Sequence, residues 1–327
     1  MLSIFIHEYV TGGGLAGSPL PKSLAAEGAA MRRALAVDFA SLPDCRVVMT
    51  LDDRHEEGPG DWTLVRVGPG EESGTFAKLA AASDRTLCVA PETSGLLRER
   101  AETIERVGGR SLGASPEAIA LTSDKLRLAE HLRDRGLATP ATYAHDRVPA
   151  GLRFPAVVKP IDGAGCLETR FVESARDLAD LIRPGFLVQS FVFGRPISVS
   201  MLVRRGAATW MDTAAQDLVC EGGLLSYRGG TTPIDHPGAA LRLAERAVRS
   251  IDGLNGWVGV DMVLADDGPV VIEINPRLTT SYIGLRHRYR VGALAAAWLA
   301  GTTPIADPSC RVDFDASGHL SVKRGEP

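Results

Sequence analysis

Asp261, Glu273 and Asn275 have the types and spacing of a divalent-cation site. They lie in two β-branched runs, Val258-Gly-Val-Asp-Met-Val-Leu264 and Val270-Val-Ile-Glu-Ile-Asn275, separated by Asp266-Asp267-Gly268. Asp-Gly between such runs signals a hairpin, and folding it symmetrically about Asp267 sets Asp261 opposite Glu273, with Asn275 on the same face. Val270, Ile272 and Ile274 then take the other face and enter a core. Two carboxylates facing each other across a strand pair destabilise it unless a cation stands between them. A few hard oxygen donors suit Mg²⁺ that is also held by nucleotide phosphates. The alternative is an edge hairpin with a solvated polar face.

Two lysines lie upstream. Lys125, in Ser123-Asp-Lys-Leu126, begins a helix; Lys159, in Val157-Val-Lys-Pro160, ends a strand and runs into Asp162-Gly-Ala-Gly165. An ammonium offers three donors to phosphate oxygens, and glycines let backbone amides approach closely. Arg277 closes Glu273-Ile-Asn-Pro-Arg277 with a guanidinium suited to bidentate phosphate contact. Thr279, Thr280 and Ser281 follow and are candidates to bind a substrate carboxylate through hydroxyl and amide donors. His7, Glu8 and Tyr9 stand at the end of the first strand, where open α/β sheets place ligands. Glu8 is the candidate to meet an incoming amine, with a structural hydrogen bond as the alternative.

The elements that must position these residues fall into two patterns. Segments 2–6, 25–39, 45–51, 75–82 and 85–90 alternate strand-like and helix-like, the rhythm of a parallel α/β sheet. The loop His7-Glu-Tyr-Val-Thr-Gly-Gly-Gly14 lacks both Gly-x-Gly-x-x-Gly and a Walker ending, so it reads as flexible backbone near a substrate. Ser115-Pro116 offers an N-cap and first-turn proline before a helix carrying Leu126, Ala129 and Leu132. From Pro155 short strands with glycine turns (156–159, 169–172, 186–191, 197–203, 209–214) indicate an antiparallel α+β region, followed by a helix over 242–251. Glu221-Gly-Gly-Leu-Leu-Ser-Tyr-Arg-Gly-Gly230, glycine-bounded, reads as a mobile lid or substrate loop.

At 327 residues and 45% hydrophobic content, the chain can bury a sizeable core in two domains or three small ones. A formal net charge of −4 with scattered basic residues gives no nucleic-acid footprint. No apolar run approaches the roughly 20 residues of a membrane span, and Met-Leu-Ser-Ile-Phe-Ile lacks a basic leader, so the expected location is cytoplasmic. The five cysteines, odd in number and widely spaced, indicate neither a disulfide framework nor a zinc site.

Taken in order, these motifs resemble the ATP-grasp superfamily over about residues 110–290. The resemblance implies an N-terminal Rossmann-like parallel-sheet domain over residues 1–112. It further implies a small lid lobe with hinge over 113–205 and a C-terminal lobe with the metal and substrate site over 206–327, the two α+β lobes clasping ATP. Lys125, Lys159 and the Asp162, Gly163 and Gly165 loop would hold phosphates. Val188-Gln-Ser-Phe-Val192 followed by Gly194 looks like the hinge strand, with Gln189 at the adenine amine, Phe191 against the base and Val192 supplying a backbone donor. Pro196 stands where a ribose-binding glutamate is common; a water or Ser198 is the substitute. Arg277 would contact the transferred phosphate and the acyl group.

Within the superfamily, Ile4-Phe-Ile-His-Glu-Tyr-Val-Thr-Gly-Gly-Gly14 and Asn275-Pro-Arg-Leu-Thr-Thr-Ser-Tyr-Ile-Gly284 resemble the tyramine–glutamate ligase group of methanofuran-type cofactor biosynthesis. The Ala-, Arg- and Gly-rich composition favours the bacterial methylofuran-type pathway. The implied reaction is carboxylate–amine ligation with ATP and Mg²⁺: glutamate is activated as an acyl phosphate and passed to tyramine, tyrosine or a similar aromatic amine. Glu8 and Tyr9 would face the acceptor, and Arg228 would pair with the glutamate side chain. Small molecules are the expected partners, with a homodimer as the protein partnership, and neither nucleic acid nor membrane. Ligation of another amino-acid or peptide pair, or non-catalytic nucleotide binding, are the alternatives.

Overall fold

The computed structural model describes residues 1–163, 165–235 and 238–325, so Ala164 of the glycine loop lies outside the described residues. The N-terminal part runs β1 (Leu2–Glu8), α1 (Lys22–Ala40), β2 (Cys45–Asp52), β3 (Trp62–Val67), α2 (Glu72–Ala82), β4 (Arg85–Val89) and α3 (Leu96–Arg106). Its four strands are parallel in the order β3-β2-β1-β4. Ile4, Phe5 and Ile6 are buried in succession, as a strand with both faces covered requires. The chain steps from β1 to β2 and β3 on one side, then to β4 on the other. This leaves a crevice between the carboxyl ends of β1 and β4, the switch point at which such sheets bind ligands.

The glycine loop after β1 is not the flexible segment expected. Val10–Gly14 forms a π-helical turn whose first four residues are buried. Gly13 takes φ +107° against Val67, where an added Cβ would lie 2.4 Å from a valine methyl. These glycines serve close packing rather than mobility.

The second part comprises α4 (Pro116–Ser123), α5 (Lys125–Asp134), β5 (Thr142–Ala144), β6 (Ala156–Pro160), β7 (Arg170–Val172), α6 (Ala175–Ala179), β8 (Phe186–Ser190), β9 (Arg195–Arg204), β10 (Ala207–Glu221), β11 (Leu224–Thr232), α7 (Gly238–Arg249), β12 (Gly256–Ala265), β13 (Gly268–Asn275), α8 (Ser281–Leu285), α9 (Ala293–Ala300), β14 (Cys310–Asp315) and β15 (Leu320–Arg324). Its sheet pairs antiparallel along β13-β12-β9-β10-β11-β7-β6-β8-β5, with β14 joining β11 to β15. β9 bonds β10 on one side and β12 on the other, so the strand ending at Arg204 shares its sheet with the chain that follows it.

Residues 221–230, expected as a mobile lid or substrate loop, belong to the β10–β11 hairpin. Gly222 and Gly223 take φ +55° and +78°, the two left-handed positions a tight two-residue turn demands. Leu224 then pairs with Arg170 of β7, joining this hairpin to the small lobe.

Separate cores hold these parts. Val258, Val260, Met262, Val271 and Ile274 pack with Ile197, Val199 and the buried faces of α3, α4, α5 and α7. Ala156, Val158, Val172, Leu178 and Val188 form a small core of their own within the lobe of β5 to β8. A third cluster carries Trp257, Tyr282 and Trp298 onto β1, β2 and α1. Asp38 of α1 completes that contact by accepting from Tyr282 Oη at 2.7 Å and from Arg286 Nε and Nη2 at 2.9 and 2.8 Å. Among the described residues no helix is long and apolar enough to cross a membrane.

Candidate active site

The β12–β13 hairpin places Asp261 opposite Glu273, with Asn275 opposite Gly259, as the sequence suggests. It reaches that register by a different route. The turn pairs Ala265 with Gly268, and an irregularity after Asp261 adds one residue to β13, so Met262 pairs with Val271. A bulge of this kind sets two residues of one strand against one of the other and flips the alternation beyond it. Val271 and Ile274 are therefore the buried positions, while Val270 and Ile272, expected in the core, are half-exposed. Ile272 thereby adds apolar surface beside Glu273.

Asn275 Nδ2 donates to Asp261 Oδ2 at 3.0 Å and Gln216 Nε2 to Oδ1 at 3.0 Å. Ser198 stands opposite Asp261 on β9, next to the carboxylates. Lys125 follows Asp124, whose side chain caps α5 by accepting from the Leu126 and Arg127 amides. Its ammonium donates to the Gly163 carbonyl at 2.5 Å and lies 3.5 Å from Glu273 Oε2. Lys159, at the end of β6, is buried in the field of Glu273, Lys125 and Asp261. Burial and then the Lys125 charge lower its proton affinity, against the pull of the carboxylates. Burial and the Glu273 charge push the Asp261 carboxyl up to about 7. Burial also raises Glu273, but Lys125 and Lys159 outweigh it and hold Glu273 below the ordinary value.

Arg277 leaves β13 toward the switch point, where its Nη2 donates to Glu92 Oε2 at 2.8 Å. Glu92 lies three residues beyond β4, and in the same turn Ser94 N donates to Asp162 Oδ2 at 2.8 Å. The β4–α3 turn therefore touches both the arginine and the glycine loop. Glu27 of α1 accepts from Thr280 Oγ1. Tyr227 of β11 stands in the field of Asp261, Glu27 and Asp217, and Cys166, raised to about 12 by burial and then by Glu273 and Asp261, stands beside the lysines. Sequence reasoning assigned no role to Glu27, Glu92, Cys166, Gln216 or Tyr227. The strand order points to Glu92; the other four carry no local signal.

Several expected ligand residues have other work. Glu8 is 2% exposed, and its carboxylate accepts from Val10 N, Thr11 N and Thr11 Oγ1 at 3.0, 2.8 and 2.6 Å, pinning its own turn. Tyr9 is buried in the core with the Arg100 guanidinium 5.6 Å from its ring centre. Gln189 is buried and donates to Thr142 Oγ1 at 2.9 Å, so its amide ties β8 to β5. Phe191 packs edge-on between Phe171 and exposed Phe193, each at 4.9 Å, and half-buried Val192 follows it. Thr279 and Ser281 bond each other at 2.8 Å, and Ser281 lies 3.3 Å from Ser200. Arg228 is exposed and paired with Glu221 at 3.3 Å. It lines a cavity of about 660 Å³ together with Gln216, Asp217, Asp313 and Asp315.

The described arrangement gathers two lysines, an arginine and a carboxylate pair around a glycine loop. Residues 122–281 match the ATP-grasp domain, and residues 45–119 match the pre ATP-grasp 3 domain. The chain belongs to the ATP-grasp superfamily. A putative ATP-grasp superfamily protein from Archaeoglobus fulgidus has the same fold, with a TM-score of 0.78 and 26% identity over 100% of both chains. The chain is also similar to two curated tyramine–L-glutamate ligases. The relative from Methanocaldococcus fervens is 33% identical over 205 residues, 62% of each chain. The one from Methanocaldococcus jannaschii is likewise 33% identical, over 62% of this chain and 58% of its own. The match thus spans about three-fifths of the length of those two relatives.

Proposed function

We propose that this ATP-grasp protein is an ADP-forming carboxylate–amine ligase that joins glutamate to an aromatic amine such as tyramine or tyrosine, in C1-carrier cofactor biosynthesis. The observation that carries the reading is the Asp261–Glu273 pair on one strand face, with Lys125 3.5 Å from Glu273 and Lys159 buried beside it. A carboxylate pair edged by ammonium groups is poorly matched to an empty pocket and well matched to a polyphosphate with its cation.

The residues fit Mg²⁺. Asp261, Glu273 and Asn275 all offer hard oxygens, and Asn275 uses its amide N–H on Asp261, keeping its carbonyl oxygen available. Among the described residues no group of three or more His, Cys, Asp or Glu that could hold a metal occurs. Such a sparse donor set suits an ion shared with nucleotide phosphates. When bound, the ion would neutralise phosphate charge.

The chain's own residues do the rest by positioning and charge compensation, the main needs of phosphoryl transfer. Lys125 and Lys159 hold phosphate oxygens, and the backbone around Gly163 and Gly165 closes over them. Half-exposed Ile272 lends apolar surface to the nucleotide. A glutamate carboxylate oxygen attacks the γ-phosphorus, the bond to the β-phosphate oxygen breaks, and ADP leaves. The amine then attacks the acyl carbon, the carbon–oxygen bond to phosphate breaks, and the amine proton passes to solvent or phosphate. Arg277 faces the charge that develops on the acyl phosphate.

The glutamate and aromatic-amine assignment is supported by the similarity to the two tyramine–L-glutamate ligases. Incubation with ATP, Mg²⁺, L-glutamate and a panel of amines tests it. ADP release that requires both glutamate and an aromatic amine, with a product heavier by one glutamyl group, is expected. ADP release with other pairs only would remove the substrate assignment, and nucleotide binding without turnover for any pair would remove the ligase reading.

A further inference from the structure

The crevice between β1 and β4 is where this sheet order places a ligand, yet Glu8 closes the β1 side with its own turn. The β4 side delivers Glu92. Its side chain is 4% exposed, and one oxygen, Oε2, is taken by Arg277. The other, Oε1, is buried without a hydrogen-bond partner, and so is Nε of Arg277. A carboxylate and a guanidinium can satisfy each other through two parallel bonds, but here they share one. One acceptor and one donor of this ion pair are left over, and buried polar atoms of this kind call for a partner.

An α-amino acid supplies the complement, an ammonium for the acceptor and a carboxylate for the donor. The surrounding charges agree: Glu27 and Glu273 both act on Arg277, so the site favours a substrate bringing a positive group with its negative one. The turn that carries Glu92 also bonds the glycine loop through Ser94 and Asp162, which ties this position to the one where phosphates are held.

Building on the ligase reading, we infer that Glu92 and Arg277 are the receptor for the zwitterionic head of the amino-acid substrate. Glu92 Oε1 takes the ammonium and Arg277 Nε a carboxylate oxygen. Glu92 is the specificity-determining residue: it separates an amino acid from the dicarboxylic acid that lacks the amine.

Calorimetric titration of the full chain with L-glutamate and with glutarate, in Mg²⁺ and a non-hydrolysable ATP analogue, tests this. L-glutamate should bind on the order of 10- to 100-fold tighter than glutarate, the effect of a charge-assisted hydrogen bond. Glu92→Gln should bring the two acids within about threefold of each other, since the amide keeps the shape and loses the charge. Equal binding of the two acids by the unmutated chain would overturn the receptor while leaving the ligase reading in place. Undiminished discrimination in Glu92→Gln would do the same. Failure of both acids to bind would bring down the glutamate reading and the receptor together. Should Glu92→Gln not fold, the comparison of the two acids on the unmutated chain still decides.

Discussion

Replacing Asp261 by Asn should stabilise the protein in the absence of metal, and by an amount that depends on pH. Burial and the facing Glu273 hold the Asp261 proton up to about 7. An ordinary aspartate loses it near 3.9, so the ionised carboxylate costs up to about 4 kcal/mol in the folded state above pH 7. The asparagine amide keeps one acceptor for the two donors, Asn275 Nδ2 and Gln216 Nε2, that the Asp261 carboxylate serves, which offsets part of this and leaves a net effect on the order of 2 kcal/mol. Between about pH 4 and 7 the folded state binds more protons at this position than the unfolded state. The Asp261 contribution to stability is therefore present at acid pH and lost as pH rises through 7. The difference between Asp261→Asn and the parent should accordingly be small at pH 5 and grow toward pH 8. There it should reach roughly 3 °C in unfolding temperature for a chain of this size. Thermal unfolding in EDTA across that range, with ADP production measured alongside, is the assay. A variant that is less stable at pH 8, or equally stabilised at every pH, would refute the charge-pair argument; full catalytic activity would remove the metal assignment.

Other consequences can be measured separately. Ile274→Ala should cost about 2–5 kcal/mol in denaturant unfolding, whereas Ile272→Ala, on the half-exposed side of the bulge, should cost less than about 1 kcal/mol; equal losses would contradict the bulged register. Lys125→Met and Lys159→Met should each weaken Mg·ATP binding by roughly 10- to 100-fold, the value of a charge-assisted contact, and unchanged affinity in both would displace the phosphates from this loop. With Pro196 in place of a ribose carboxylate, ATP and its 2′-deoxy analogue should bind within about threefold of each other, since no built polar contact is left unpaired; a large preference for ATP would locate a ribose contact elsewhere.

The parts of this site that are local in sequence were legible in it. The β12–β13 hairpin, the capped start of α5 at Lys125 and the strand ending at Lys159 each announce themselves through turn chemistry and alternation. The pairing of Asp261 with Glu273 was reached by counting from Asp267, but a shorter turn and a bulge compensate each other, and strict alternation misplaced Val270 and Ile272. Glycine proved the weakest guide. In Val10–Gly14 it marks close packing, and at Gly222 and Gly223 a tight hairpin turn, where the sequence suggested mobile loops. The hydroxyl and amide side chains near the site, Gln189, Thr279 and Ser281, have protein partners that composition cannot reveal. Glu27 and Glu92 come to the site only because α1 and β4 pack against the C-terminal lobe, a contact set by sheet order and by the Asp38–Arg286 pair.

The most direct test of the central claim follows the oxygen atoms. If a substrate carboxylate attacks the γ-phosphorus, glutamate labelled with ¹⁸O in its carboxylates, incubated with ATP, Mg²⁺ and the aromatic amine, should transfer one labelled oxygen to inorganic phosphate for each amide formed. Mass spectrometry of the released phosphate reads this out. Phosphate carrying a single ¹⁸O in step with amide formation is the result the account predicts; unlabelled phosphate accompanying amide formation would contradict it.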